Sequence, residues 1–214
     1  MRGKLITFEG IDGSGKTTQI NMLNNYLSTK GYDVVLTREP GGTPLGDIIR
    51  EVLLNPENKG MSAKAETMLF LASRAELVAK VIAPALKKGK VVVCDRFYDS
   101  TIVYQGIARS LGIEKILDMS LWATSGIKPD LTFLLSVNID ASESRMILGT
   151  KVRDRIENEE KDFKQKIQEG YLEIAKKNKN RFVVIDGDKD IESIFVVVKK
   201  YVNKLLNLKK HLDF

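Results

Sequence analysis

Residues 5–18 read LITFEGIDGSGKTT, and this stretch decides the fold of the chain. Its apolar start predicts a strand, a glycine-rich turn follows, and the residues after the turn begin a helical pattern. The turn matches Gly-x-x-x-x-Gly-Lys-[Ser/Thr], with Gly10, Gly15, Lys16 and Thr17 at the defined positions. In that motif backbone N–H groups surround phosphate oxygens, the lysine bridges them, and the hydroxyl holds Mg²⁺. The stretch therefore predicts a site for a nucleoside triphosphate with Mg²⁺.

The size of the chain suits one α/β domain over residues 1–214, of which 43% are hydrophobic. Its net charge of +6 fits an anionic partner, either nucleic acid or a small phosphorylated substrate, and equally fits a solvated lysine-rich surface. The single cysteine, Cys94, lies in an apolar run and indicates a buried thiol in a reducing compartment. Residues 1–4 lead directly into the first strand, and no apolar stretch reaches the ~20 residues that span a bilayer. We expect a cytoplasmic protein.

Five apolar strands alternate with helical patterns along the chain, which predicts a five-stranded, parallel, doubly wound sheet with helices on both faces. The long helix over 62–88 is expected to kink or end early at Pro84, and Trp122 is expected in the core. The predicted strands are 5–8, 34–37, 90–94, 131–137 and 182–185, and the predicted helices are 16–30, 44–54, 62–88, 113–124, 140–148, 163–178 and 191–206.

Charged residues follow two of these strands. Arg38 and Glu39 come after the second strand, where the alternative is a turn with a surface ion pair. Asp95 and Arg96 come after a strand of the kind buried on both faces, so they need partners, and Mg²⁺ and phosphate would supply them. Strand ends of a parallel sheet face one crevice. A second anionic group beside the triphosphate predicts phosphoryl transfer between nucleotides.

Three further segments allow two interpretations each. Phe70 and Arg74 share one face of a predicted helix. They could both contact a ligand, or Phe70 could be a core aromatic with the arginine side chain extending past it to solvent. The polar and aromatic residues of 100–105 line a base-sized pocket or belong to a surface helix. Residues 149–160, GTKVRDRIENEE, form a mobile lid that closes over phosphate or are simply solvated.

In combination these motifs resemble the thymidylate kinase family, which phosphorylates dTMP to dTDP with ATP in dTTP biosynthesis. The resemblance covers nearly the whole chain and includes the segments FEGIDGSGKTTQ, TREPGGTPLG, 70–74, DRFYDSTIVYQG, PDLTFLLSV, DRIENE and VVIDG in the family's order. It implies a P-loop nucleoside monophosphate kinase-like fold, direct in-line transfer with Mg²⁺, and a homodimer. It implies no nucleic-acid or membrane partner.

The resemblance also implies roles for individual residues. Arg38 and Arg96 would clamp the dTMP phosphate, and Asp12 would meet the sugar 3′-hydroxyl. Phe70 would stack on thymine, and Arg74 would hydrogen-bond its exocyclic oxygen. The remaining dTMP contacts would be Ser100, Thr101 and Gln105 at the thymine edge and Tyr104 at the 2′ position. ATP would be held by Gly10, Gly13, Ser14, Gly15, Lys16, Thr17 and Thr18, and Mg²⁺ by Thr17, Asp95 and Glu9.

Catalysis by this resemblance depends on Lys16, Asp12 and Arg96 together with an arginine outside the phosphate loop. The loop reads Asp12-Gly13-Ser14 and carries no arginine, so the chain looks like the bacterial type with a lid at about 145–160. Its first candidates for the catalytic arginine are Arg153 and Arg155, and Arg145 and Lys151 are the second choices for a catalytic basic residue.

Three other functions are alternatives to this one. A kinase for another nucleoside monophosphate or for a free deoxynucleoside is the nearest alternative. A regulatory GTPase needs Asn-Lys-x-Asp, and no Asn-Lys pair of this chain is followed by that aspartate. A nucleic-acid-binding module rests only on the net charge, because the basic residues are scattered and lack clustered aromatic partners.

Overall fold

The centre of the protein is a sheet of five parallel strands, which lie side by side in the order second, third, first, fourth and fifth along the chain. The structure is a computed structural model that describes residues 2–148 and 154–208. All five predicted strands are present, and the predicted parallel sheet is confirmed. The strands are β1 (Lys4–Glu9), β2 (Val34–Arg38), β3 (Val91–Asp95), β4 (Leu131–Ser136) and β5 (Phe182–Asp186).

Helices cover both faces of this sheet, which confirms the doubly wound arrangement. The helices are α1 (Lys16–Thr29), α2 (Pro44–Leu54), α3 (Ala63–Leu77), α4 (Ala83–Lys87), α5 (Tyr98–Thr101), α6 (Ile113–Ala123), α7 (Ile139–Leu148), α8 (Lys161–Lys177) and α9 (Ile191–Leu205). Because successive strand residues point to opposite faces, Ile6 and Val93 pack under α1 and α9, whereas Leu5 and Val92 pack under α3, α6 and α8.

The register of strands β2, β3 and β1 brings together the strand ends that carry the predicted site residues. Asp95 at the end of β3 is level with Phe8 on one side and with Arg38 on the other. The loops that leave these strands therefore start at the same edge of the sheet. This is the edge where open α/β sheets bind ligands.

Two π-helical segments interrupt the helical layers. Val78–Ile82 joins α3 to α4, and Ile102–Ala108 continues α5. The predicted break at Pro84 takes this form because proline has no N–H to donate, and the wider turn before it lets the helix continue. The second segment carries Tyr104 and Gln105, so a locally widened helix presents two of the predicted site residues.

The prediction that Trp122 lies in the core is wrong. Its side chain is 83% exposed. The buried positions of α6 are Ile116, Ser120 and Ala123, which lie on one face at helical spacing. Trp122 precedes the last of them by one residue and is rotated about 100° from that face.

The predicted lid is described only in part. Helix α7 confirms the helix expected over 140–148, and residues 154–160 form a turn that leads into α8. Lys151 and Arg153 lie outside the described residues. Within the parts that the structure describes, no helix has the length and apolar character needed to cross a membrane.

Candidate active site

The phosphate loop occupies residues 10–15 between β1 and α1, and its glycines are required by its geometry. Gly10 has a φ of +136°, and a Cβ there would lie 2.5 Å from the carbonyl oxygen of Leu135. Gly15 has a φ of +92° and caps α1, so the first N–H groups of that helix face the loop. Loop and helix terminus together provide backbone donors for an anion.

Lys16 is buried inside this loop, with only 6% of its surface exposed. Its Nζ donates to the carbonyl oxygens of Gly10 at 3.1 Å and Ile11 at 2.9 Å. Burial and the positive charge of Arg96 lower the pKa of the Lys16 ammonium from its ordinary value. Phosphate oxygens would be stronger partners for this ammonium than the two carbonyls are.

Arg96 connects the end of β3 to the phosphate loop. It has a φ of +66°, a strained conformation for a residue with a side chain. Its Nη2 donates to Asp12 Oδ1 at 2.9 Å, and its Nη1 donates to Tyr171 at 3.1 Å and Ser100 at 3.3 Å. The guanidinium also lies over the Tyr104 ring, 5.4 Å from its centroid. These contacts hold Arg96 in one orientation beside the loop.

Glu9, at the end of β1, is fully buried and accepts three hydrogen bonds. The donors are the Phe97 N–H at 2.8 Å, the Ser100 hydroxyl at 2.6 Å and the Tyr171 hydroxyl at 2.8 Å. Two of these donors also touch Arg96. Glu9 therefore orders the residues around Arg96, and its role as a Mg²⁺ ligand stays a prediction.

A cavity opens between α3 and the π-helical segment after α5. At its edge Arg74 and Glu39 form a buried ion pair, with Arg74 Nε donating to Glu39 Oε2 at 2.8 Å. Arg74 Nη1 and Gln105 Oε1 are buried and have no hydrogen-bond partner among the described residues. Of the predicted dTMP-binding residues, those lining this cavity are Asp12, Phe70, Arg74, Arg96, Ser100, Thr101, Tyr104 and Gln105.

A second cavity lies over the phosphate loop and shares part of its lining with the first. Asp12, Glu39, Arg50 and Arg96 line both cavities. Arg38, the remaining predicted dTMP contact, lies in the second one. The two cavities could therefore hold two ligands end to end, with their phosphates at the shared boundary. The second cavity is also lined by Gly13, Gly15, Lys16, Thr17, Thr18, Asp95 and Arg145.

Comparison with known proteins identifies the family. The family model described as thymidylate kinase matches residues 8–196. The chain is 46% identical over 206 residues to a thymidylate kinase of Thermoanaerobacter sp. (strain X514), a match covering 94% of this chain and 100% of that protein. The chain belongs to the thymidylate kinase family. The activity of a thymidylate kinase is the phosphorylation of dTMP to dTDP with ATP, and this is the activity of the chain.

Other thymidylate kinases agree in sequence and fold. A thymidylate kinase of Thermosipho melanesiensis is 47% identical over 202 residues, covering 94% of this chain and 98% of that one. The crystal structure of thymidylate kinase from Ehrlichia chaffeensis has a TM-score of 0.76 and 36% identity, covering 94% of this chain and 99% of that one.

Arg155, one of the predicted catalytic arginines, packs against α2 and α3. It is buried, its Nε donates to the Leu53 carbonyl at 2.8 Å, and its Nη2 lies 2.7 Å from Glu66 Oε2. The guanidinium is thus held against α2 and α3, because a buried positive charge requires a buried partner. The catalytic role of Arg155 stays a prediction, and in this structure its guanidinium is paired with Glu66.

From the sequence alone neither Arg50 nor Tyr171 is singled out, and Arg145 is named only after the other lid arginines. Arg50 of α2 donates to the Pro40 carbonyl at 2.9 Å, and burial together with the charge of Arg38 lowers its pKa. Tyr171 of α8 holds Glu9 and Arg96. Arg145 of α7, named only as a reserve, donates to the Gly187 carbonyl at 3.1 Å beside the phosphate loop. No local motif marks any of these residues, because each lies on an ordinary amphipathic helix.

We predict that Glu9 makes the stability of the unliganded kinase depend on pH. Burial and the nearby Asp99 carboxylate raise the pKa of Glu9 from 4.5 to about 7. Between these values the folded chain keeps a proton that the unfolded chain has lost, so rising pH removes stability. Across this window wild type should lose roughly 3 kcal/mol relative to Glu9→Gln.

Urea denaturation of both proteins at pH 5 and pH 8, with chelator and without nucleotide, measures this difference. Other carboxyl groups contribute equally to both proteins and cancel in the comparison. A difference in unfolding free energy that is the same at the two pH values would contradict the prediction.

Proposed function

We propose that dTMP binds in the cavity beside α3, that ATP binds over the phosphate loop, and that the two ligands meet at Asp12, Arg50 and Arg96. These three residues line both cavities, which supports an end-to-end arrangement of donor and acceptor. Phosphoryl transfer needs two substrates in line and neutralisation of charge more than it needs covalent catalysis. Glu39 also lies at this boundary but is paired with Arg74, so Arg50 and Arg96 remain beside Asp12 to neutralise phosphate charge.

The observation that carries the dTMP assignment is the pair of unpartnered polar atoms in the first cavity. Arg74 Nη1 is a donor and Gln105 Oε1 is an acceptor, and both are buried without a partner among the described residues. Thymine offers the complementary edge, with O4 as acceptor and N3–H as donor. Cytosine offers the opposite pattern, an amino donor and an N3 acceptor. Phe70 lines the same cavity and provides a ring for stacking on the base.

The sugar and phosphate of dTMP would lie toward the phosphate loop. Tyr104 is buried in the wall of the cavity, where its ring would leave no room for a 2′-hydroxyl. Asp12 is close enough to Arg96 to approach the 3′-hydroxyl while Arg96 binds the phosphate. Arg38 is 60% exposed on its side chain and is available to the same phosphate. Ser100 and Thr101 line the cavity between these ends.

The ATP phosphates would be held by the loop and the start of α1, from Gly10 to Thr18. Lys16 would exchange its two carbonyl partners for phosphate oxygens, which offer stronger charge-assisted hydrogen bonds. Arg153, in the lid at about 145–160, is the proposed arginine that stabilises the transition state. The whole chain, residues 1–214, is proposed to form a single domain. A cytoplasmic location likewise stays a prediction.

Thr17 and Asp95 fit a Mg²⁺ site. Thr17 is exposed at the start of α1, and Asp95 Oδ1 is buried without a partner among the described residues. Both line the cavity over the phosphate loop. The described residues contain no cluster of three metal-binding side chains. That suits Mg²⁺, which keeps several waters and is held by one or two protein oxygens and the substrate phosphates. When bound, Mg²⁺ would neutralise charge on the transferred phosphate.

We also propose that the kinase is a homodimer, formed through the apolar outer surface of α2, α3 and α6. Leu45, Ile48 and Val52 lie along one face of α2 and are 50%, 59% and 41% exposed. Met68 of α3 and Trp122 of α6 are exposed as well. Such a set of large apolar side chains is typical of an interface. A second copy of this chain is the partner implied by the family resemblance.

We predict that Arg74→Lys raises the KM for dTMP about tenfold and changes kcat little, because lysine keeps a charge beside Glu39 and lacks a donor that reaches the base. Steady-state assays with ATP across dTMP, dUMP, dCMP and CMP measure the effect. Wild type should prefer dTMP. An unchanged KM for dTMP would remove Arg74 from the base pocket.

We predict that Asp95→Asn lowers the apparent affinity for Mg²⁺ roughly 10- to 100-fold, because the neutral amide is a poor ligand for this ion. Initial rates over a Mg²⁺ titration at saturating ATP and dTMP provide the measurement. Asp33→Asn, an aspartate whose side chain is 66% exposed, is the matched control. Identical Mg²⁺ dependence of the two variants would argue against the proposed site.

We predict that Ile48→Glu converts the dimer to a monomer, since a charge at the interface core is costly. Analytical ultracentrifugation should find wild type at twice the mass of the 24.0 kDa chain. Val196→Glu on α9 is the control, because Val196 and Ile48 are both 59% exposed. A monomeric wild type, or dissociation by both variants, would overturn the proposed interface.

A further inference from the structure

A buried carboxylate, Glu66 of α3, lies behind the proposed base pocket. Only 1% of its surface is exposed. Glu66 precedes Phe70 by four residues and Arg74 by eight, so the three side chains share one face of α3. Phe70 and Arg74 line the cavity, whereas Glu66 does not. It therefore lies behind the wall of the cavity, one layer of side chains away from the space proposed for the base.

Four groups surround the Glu66 carboxylate. Gln105 Nε2 donates to Oε1 at 2.8 Å, and Arg109 Nε donates to Oε1 at 3.3 Å. Arg109 Nη2 lies 3.4 Å and Arg155 Nη2 lies 2.7 Å from Oε2. Burial alone would raise the pKa of Glu66, but these hydrogen bonds and the two arginine charges hold it below its ordinary value. Glu66 is therefore ionised at neutral pH.

An ionised carboxylate can only accept hydrogen bonds. Gln105 consequently has to present its –NH₂ group to Glu66, and its carbonyl oxygen is left on the other side of the amide. That oxygen is the buried atom without a partner among the described residues, and Gln105 lines the cavity. The charge on Glu66 thus determines that the pocket contains an acceptor and not a donor at this point.

We propose that Glu66 is a positioning residue for base selection: it orients the Gln105 amide so that its oxygen accepts from the N3–H of thymine. This inference rests on the base pocket proposed above. Arg109 and Arg155 take part by keeping Glu66 charged. The same arrangement opposes cytosine, because an N3 acceptor facing the Gln105 oxygen would leave two buried acceptors unpaired.

Glu66→Gln tests the proposal because it changes the charge and preserves the shape. The arginines would compete for the new amide oxygen, so the new –NH₂ group would face Gln105 and occupy its oxygen or turn its amide. We expect the KM for dTMP to rise about tenfold and the ratio of kcat/KM for dTMP to that for dCMP to fall about tenfold, with kcat within about threefold of wild type.

A double-mutant cycle with Gln105→Met separates orientation of Gln105 from general support of the fold. If Glu66 acts through Gln105, Glu66→Gln should change the KM for dTMP less than twofold in the Gln105→Met background. Glu57→Gln, at an exposed position in the turn between α2 and α3, is the control for the same chemical change. Thermal unfolding of each variant shows whether the fold is retained.

The outcomes distinguish this inference from the base pocket on which it rests. An unchanged KM and unchanged dTMP to dCMP ratio in Glu66→Gln, or an equal further rise of KM in the Gln105→Met background, would overturn the positioning role. An unchanged KM for dTMP in Gln105→Met alone would overturn the base pocket itself. A large effect of Glu66→Gln that disappears with Gln105 replaced would support both.

Discussion

The site depends on pairing buried charge at the carboxyl edge of the sheet and on the adjoining face of α3. Glu9, Glu39 and Glu66 are each at most 5% exposed. An unpaired carboxylate in such a place would cost several kcal/mol. Each of the three is paired with a different set of donors, and those donors come from other helices and loops of the chain. The pairing fixes the positions of the side chains that face the two cavities.

In this arrangement buried carboxylates fix the orientation of the side chains that line the cavities. Glu39 holds Arg74, Glu9 holds the residues around Arg96, and Glu66 holds Gln105. In each case the held side chain lines a cavity and the carboxylate limits its conformations. A site that is oriented before substrate arrives loses less conformational entropy on binding. The positive charge left over at the boundary of the cavities then suits two phosphorylated substrates.

Local sequence was a good guide to the elements and to residues in contiguous motifs. Alternating apolar strands and helices predicted the sheet, and the residues after β1 and β3 were predicted to reach one edge, as they do. The prediction for Trp122 is wrong because the buried face of its helix is formed by Ile116, Ser120 and Ala123, and Trp122 lies outside that face. The composition of the lid segment and the family resemblance predicted a phosphate contact for Arg155, and only the structure shows its pairing with a carboxylate of α3. Periodicity and composition do not contain that information.

The sequence by itself determined the phosphate loop, because its glycines, lysine and threonine act within a few residues of each other. Only the tertiary structure decided which charged groups pair. Gln105 meets Glu66 across 39 residues, and Tyr171 meets Glu9 across 162. Such contacts depend on how helices pack on the sheet, and many different sequences of an amphipathic helix satisfy the same packing. The physical reason is that the energy of a buried ion pair depends on distance in space, which the local sequence does not record.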